Sequence, residues 1–162
     1  MFVTHAFQPV YDGNSKVLIL GTMPSPQSIR HGFYYSHPQN RFWPLMAVLY
    51  EDALPSTPKE KRDFALRHGI ALWDVLACCE IRGAADSSIR RPVPNDFTPI
   101  LQAAPIERIF TTGKTAFNLF QKLVAPSLKR EAIYLPSTSP ANQALFPWEK
   151  LLQTWREQLF AE

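Results

Sequence analysis

Between Gly21 and Trp43 the chain reads G-T-M-P-S-P-Q-S-I-R-H-G-F-Y-Y-S-H-P-Q-N-R-F-W. This stretch gathers side chains that could do chemistry: His31 and His37, the aromatic run Phe33-Tyr34-Tyr35, and the carboxamide of Asn40. A second run, P-S-T-S-P-A-N from Pro136 to Asn142, carries three consecutive hydroxyls at Ser137, Thr138 and Ser139. Two imidazoles could hold a metal, but no third ligand follows at a useful spacing, so loop histidines that meet a partner or the backbone account for them better. Three hydroxyls suit phosphate contact and suit ordinary turns equally. Gly113-Lys114-Thr115 has the end of a phosphate loop, yet position 108 holds Arg where the full motif needs Gly. No pair of acids has the layout of a glycosidase working through two carboxylates. Cys78 and Cys79 are adjacent and are the only cysteines, which excludes a disulfide framework and a cysteine-only metal or cluster site. They read as buried apolar residues in a reducing, cytoplasmic setting.

These side chains need elements to hold them. Val17-Leu18-Ile19-Leu20 reads as a buried strand, with the strand at residues 16–20. It ends in Gly and pours into about twenty residues of loop, far above the usual strand–helix connection, so the loop reads as functional. Open α/β sheets bind ligands beyond the carboxyl ends of their strands. Phe42, Leu45, Met46 and Leu49 share one helical face, with Asn40 at or near the cap and Pro44 in the first turn. Thr57-Pro58-Lys59-Glu60 is a capping box opening a second helix, which Gly69 ends. Further strands are expected at residues 70–75, 108–112 and 132–135. Helices are expected from Asn95 or Asp96 to Gln102, over 114–124 and over 148–160. Residues 81–94 read as a long polar loop, and residues 1–15 as an extended lead-in with a turn at Asp12-Gly13-Asn14. Asp74, at a strand end, supports a pocket or caps a turn.

Strands alternating with helices imply an α/β fold, a three-layer α/β/α sandwich around a short, mostly parallel four-stranded sheet. At 162 residues the chain is expected to form one domain, residues 1–162. No apolar run approaches a membrane span, and the first residues lack the pattern of a secretory signal. The formal net charge of +3, without a polybasic block, permits nucleic-acid binding without demanding it.

The two loops, taken together, resemble the uracil-DNA glycosylase superfamily. G-T-M-P-S and G-F-Y-Y-S-H-P-Q-N-R-F-W with S-T-S-P-A-N are most similar to the hypoxanthine-DNA glycosylase branch, near the mismatch-specific uracil/thymine enzymes. G-I-A-L-W-D-V and the following C-C-E-I-R-G match in kind, so the resemblance spans nearly the whole chain. It implies a DNA repair enzyme without cofactor or metal, acting as a monomer on DNA that contains a deaminated base. Such an enzyme swings the base out of the helix and hydrolyses its bond to the sugar. The resemblance implies a base pocket at Gly21, Thr22, Met23, Tyr35 and Thr112, with Tyr35 as the stacking ring.

The superfamily commonly places Asp or Asn two residues after the leading Gly, to manage the attacking water. Here that position is Met23, which can neither orient water nor take a proton. In the hypoxanthine branch the Asn of H-P-x-N carries the role instead, which is Asn40. An amide accepts through its oxygen and donates through its NH2, so it works by positioning. Ser137, Thr138 and Ser139 are then expected on DNA phosphates, and Pro140 and Asn142 in the space vacated by the base. Thr112 stands where an amide is expected and offers one hydroxyl. Read from the residues alone, Asn40 is also a plain helix cap and Phe33-Tyr34-Tyr35 a core edge. A uracil or mismatch glycosylase on the same scaffold, and a binding module that has lost the chemistry, stand beside the hypoxanthine reading.

Overall fold

A computed structural model describes residues 1–82 and 86–161. Four parallel strands form the centre: β2 (Val17–Gly21), β3 (Ile70–Asp74), β6 (Arg108–Thr112) and β7 (Ala132–Leu135), in the order β3-β2-β6-β7. The register sets Gly21 opposite Asp74 and Thr112 opposite Leu135, so the carboxyl ends of neighbouring strands lie side by side. Alternate side chains go to opposite faces, as the pleat requires. Ile19, Ile70, Leu72, Phe110 and Leu135 join one core. Leu18, Leu20, Ala71 and Ile109 join the other.

The helices cover both faces. On the first lie α2 (Phe42–Leu49), α3 (Pro58–Arg67) and α7 (Trp148–Leu159), which bury Phe42, Leu45, Met46, Phe64, Leu151 and Trp155. On the second lie α4 (Thr98–Ala103) and α5 (Lys114–Leu123), which bury Ile100, Ala116 and Phe120. This is the expected three-layer α/β/α arrangement. The capping box of α3 forms as read: Thr57 accepts from the Glu60 amide, and the Glu60 carboxylate accepts from the Thr57 amide. Asp12 Oδ1 accepts from the Asn14 amide, which closes the expected turn. Among the described residues no helix is long and apolar enough to cross a membrane.

Three local features differ from expectation. A short helix, α1 (Pro26–His31), interrupts the long loop, with Ser25 Oγ accepting from the Ser28 amide and Gly32 closing it at φ 81°. The second strand breaks at Val75, whose amide donates to Gly21 O, and the chain continues as β4 (Leu76–Glu80). That strand is the middle of a second, antiparallel sheet between β1 (Phe2–Thr4) and β5 (Arg90–Pro94). The last five residues of the expected 81–94 loop are therefore strand. Their sequence, R-R-P-V-P, hid this: two prolines are tolerated because β5 is an edge, and one face of the ribbon meets solvent. Residues 83–85, which include the Gly of C-C-E-I-R-G, and residue 162 lie outside the described residues. A four-residue helix, α6 (Ala125–Leu128), follows α5 directly.

Candidate active site

At the carboxyl ends of β2, β3 and β6 the surface opens into a cleft of about 690 Å³. Gly21, Thr22 and Met23 line it from the end of β2, Thr112 from β6, Tyr35 and Asn40 from the long loop, and Ser137, Ser139, Pro140 and Asn142 from the loop after β7. Of the residues that the resemblance assigns to the site, all but Thr138 line this cleft, whereas His31 and Phe33 do not. The Thr138 side chain is buried and reaches the site through another residue.

Asn40 carries that link. Its Oδ1 accepts from the Phe42 amide at 2.9 Å and from the Thr138 hydroxyl at 2.8 Å. A backbone N–H can only donate, so the atom facing it is the oxygen and the amide's orientation is fixed. Asn40 therefore braces the start of α2 from one position before its Arg41 N-cap, and lines the cleft at the same time. Both bonds fall on the oxygen, which leaves Nδ2 without a partner among the described residues and available to an occupant of the cleft. Sequence reading allowed the amide to accept and to donate; the geometry leaves the donating end. The Thr138 side chain is 1% exposed and its hydroxyl is spent on Asn40.

The aromatic run divides. Phe33 and Tyr34 are buried in the core, and the Tyr34 hydroxyl donates to Gln8 O at 2.8 Å. Tyr34 reaches the cleft wall as well, and Tyr35 lines it with one ring face stacked on Phe42 at 4.0 Å and 8°. A flat ligand can stack only on its other face. Tyr35 holds φ at 55°, a left-handed conformation costly for a bulky side chain and found where the surrounding structure enforces it. Its hydroxyl sits 3.5 Å from Thr112 Oγ1, a weak contact by distance. Burial first, and then the charge of Asp74, raise the phenol far above its ordinary value, so Tyr35 remains a neutral hydroxyl at any working pH.

The loop after β7 is internally braced. Ser137 Oγ accepts from the Ser139 amide, Ser139 Oγ accepts from the Ala141 amide, and Asn142 Nδ2 donates to Ser137 O at 3.0 Å. Asn142 thus spends part of its amide on holding the loop tip. Arg41 anchors the same loop at two points: its amide donates to Thr138 O at 3.1 Å and its Nη1 to Phe146 O at 2.6 Å. Its Nε and Nη2 are buried without partners among the described residues, and this desolvation lowers its pKa. His37 lines the cleft, and its Nδ1 accepts from the Gln39 amide, which is the backbone role expected of a loop His. Among the described residues no group of three or more His, Cys, Asp or Glu is placed to hold a metal ion.

The sequence offers Asp74 as a pocket support or a turn cap, but gives no sign of its partner. Asp74, 4% exposed, lines the cleft from the end of β3, and its Oδ2 lies 2.7 Å from Nε2 of His5. His5 comes from the lead-in just past β1, far from Asp74 in sequence, and no local motif marks it.

Residues 8–159 match the Uracil DNA glycosylase superfamily. A hypoxanthine DNA glycosylase from Methanosarcina acetivorans is 33% identical over 142 residues, 87% of this chain and 89% of the relative. One from Methanosarcina barkeri is 37% identical over 139 residues, 85% of this chain and 87% of the relative. The solution NMR structure of a Methanosarcina acetivorans protein described as a uracil DNA glycosylase superposes with a TM-score of 0.79 at 29% identity, covering 97% of this chain and 98% of that one. With the parallel sheet, the cleft at its carboxyl edge and the two loops that wall it, these likenesses establish that the chain belongs to the uracil DNA glycosylase superfamily.

Proposed function

We propose that this protein is a monofunctional DNA glycosylase that hydrolyses the N-glycosidic bond of hypoxanthine everted from DNA, leaving an abasic site. The observation that carries this is the placement of Asn40 and Tyr35 in one cleft, the amide oxygen locked and the ring backed by Phe42. The base stacks on the open face of Tyr35. Breaking the bond gives an oxocarbenium-like sugar and an anionic base, and water must approach the sugar on the face opposite the base. Asn40 donates through Nδ2 to hold that water. It is no general base, so its contribution is orientation. The positive charge of the sugar, together with the DNA phosphates, carries much of the electrostatics. Met23 lines the cleft where the superfamily commonly places an acid or amide, and it takes no part in proton transfer.

Ser137 and Ser139 contact phosphate, and Pro140 and Asn142 enter the space the base vacates. Thr138 has the different task of fixing Asn40. The protein works as a single monomeric domain in the cytoplasm. The test is excision on duplexes carrying hypoxanthine, uracil or xanthine, scored by strand cleavage at the abasic product. Preference for hypoxanthine supports the reading, and preference for uracil moves the protein to the uracil-directed alternative. That second reading is favoured by the description of its structural neighbour. DNA binding with no abasic product from any of the three overturns both.

A further inference from the structure

The antiparallel sheet has no part in the excision chemistry, yet it walls the cleft: Val3 and Thr4 line it from β1, and Ile81 from the end of β4. The charge of that sheet is gathered at the same place. Arg82 follows Ile81 directly, and Arg90, the first residue of β5, is the register partner of Glu80. Both arginines are exposed. Glu80 is the one acid in the three strands, and Arg91 Nη1 already faces it at 3.4 Å. Two cations are left over. The Arg82 guanidinium has no partner among the described residues, and Arg90 Nη1 donates only to backbone carbonyls, Ile89 O at 2.9 Å and Ser87 O at 3.4 Å.

The backbone keeps these side chains outside. A regular strand turns consecutive residues to opposite faces, which would send one of two neighbouring arginines toward the apolar side that carries Val3, Cys79 and Ile81. Instead the register shifts between Cys78 and Glu80, and Arg91 takes φ 52°, a left-handed conformation costly for a side chain of its size. Arg90 and Arg91 both stay exposed. The Arg82 amide donates to Ser88 Oγ at 2.9 Å, which closes the end of β4 onto the residues leading into β5. Charge and proline also guard an edge strand against pairing with another sheet. That task does not account for Arg82, which follows the central strand.

We infer that Arg82 and Arg90 hold phosphates of the lesion-bearing strand beside the everted nucleotide, so that the antiparallel sheet is a second, sequence-independent grip on DNA. The inference rests on the glycosylase reading above. β3 and β7 are the outer strands of the parallel sheet. The antiparallel sheet continues from β3 and the Ser137–Asn142 loop from β7, so the two stand at opposite ends of the site. A strand that feeds one base into the cleft passes over its rim on both sides. The loop meets it at one end with hydroxyls, and the arginines meet it at the other with unmatched charge. Phosphodiesters fit such cations because they are fixed anions that carry no sequence.

The test titrates duplexes carrying 2′-fluoroarabino hypoxanthine, which resists hydrolysis, across a salt series. The proteins are wild type, Arg82→Gln/Arg90→Gln, and Lys122→Gln/Lys129→Gln, a distant pair that removes the same charge at the far end of α5 and the end of α6. In the arginine variant the slope of log affinity against log salt is expected to shrink by about 1.8, at about 0.9 per phosphate, with roughly tenfold weaker binding. Undamaged duplex loses affinity equally, and single-turnover excision at saturating protein is unchanged. Arg82→Lys/Arg90→Lys keeps the charge and restores binding. Shortening the duplex on one side of the lesion, 5′ or 3′, costs the wild type affinity and costs the arginine variant nothing further. A wild-type slope in the arginine variant, or an equal loss in the distant pair, overturns the inference and leaves the β5 arginines as guards of a sheet edge. Failure of the parent reading is a separate result: wild-type protein then yields no abasic product from any deaminated base, whatever the slopes.

Discussion

The Asn40 carboxamide oxygen receives the Thr138 hydroxyl at 2.8 Å, joining the start of α2 to the loop after β7 across 98 residues of sequence. The bond does two things. It fixes which end of the amide faces the cleft, and it ties the two loops that form opposite parts of the site into one unit. Arg41 repeats the tie with its amide on Thr138 O and its guanidinium on Phe146 O. Removing the hydroxyl separates two interpretations of Thr138. Thr138→Val is expected to slow excision roughly tenfold, the loss of about one hydrogen bond's worth of orientation, with affinity for undamaged duplex unchanged. A uniform loss of DNA affinity at unchanged excision rate would instead restore the phosphate role.

Gly21→Ala tests the crowding at the end of β2. The added methyl would meet Asp74 Oδ1 at 2.6 Å, and neither the strand nor the His5-braced carboxylate can give way freely. The expected cost is about 1–3 kcal/mol of stability, as for other overpacked sites, together with loss of excision. Thermal melting and single-turnover rates check the two halves separately.

Tyr35→Phe removes a hydroxyl that makes only a 3.5 Å contact in the free protein, and keeps the ring stacked on Phe42. Excision is expected to fall by less than that of Tyr35→Ala, which loses the stacking wall as well. Base–aromatic stacking is worth about 1–3 kcal/mol by alanine substitution, so lesion binding should weaken by roughly tenfold or more in the alanine variant. Gel-shift titrations with a lesion duplex measure it.

Alkaline pH gives a prediction without mutation. Burial raises the phenols of Tyr34 and Tyr35 far above the ordinary 10.0, and that of Tyr50 to about 12. In the unfolded chain they ionise near 10. The folded state therefore holds more protons above that pH, and its stability, fully present below about 10, declines as pH rises toward the folded values. Phenolate absorbance from these three residues should appear together with loss of far-ultraviolet circular dichroism. Smooth ionisation of all three in a folded chain would contradict their burial.

The parallel core was legible because each strand is a short apolar run bounded by Gly, Pro or a cap, and because helical periodicity is strong in α5 and α7. The long loop was legible as a site because it follows a buried strand and carries an extended motif. Its short helix α1 had a readable start at Ser25-Pro26 and stop at Gly32, but six residues gave no periodicity. The second sheet was not legible: β5 is charged, proline-bearing and solvated on one side, and β4 is separated from β3 only by a bend at Val75. Asp74 was legible as a pocket support or turn cap at a strand end, but its pairing with His5 has no local signal. It arises from the β1–β4 pairing, which brings the lead-in beside the β3–β4 bend, a relation that periodicity does not record.

The reaction proposed for this cleft depends on Asn40 positioning the attacking water for an everted deaminated base. Single-turnover excision of hypoxanthine by wild-type protein and Asn40→Ala tests it most directly. Asn40→Ala removes the bond to the Phe42 amide and leaves the buried Thr138 hydroxyl unpaired, a cost of about 1–3 kcal/mol, so thermal melting is measured beside the rate to show that the variant is folded. The wild type is expected to yield an abasic product and the variant to form it at least about a hundredfold more slowly. Equal rates from the two proteins would contradict it.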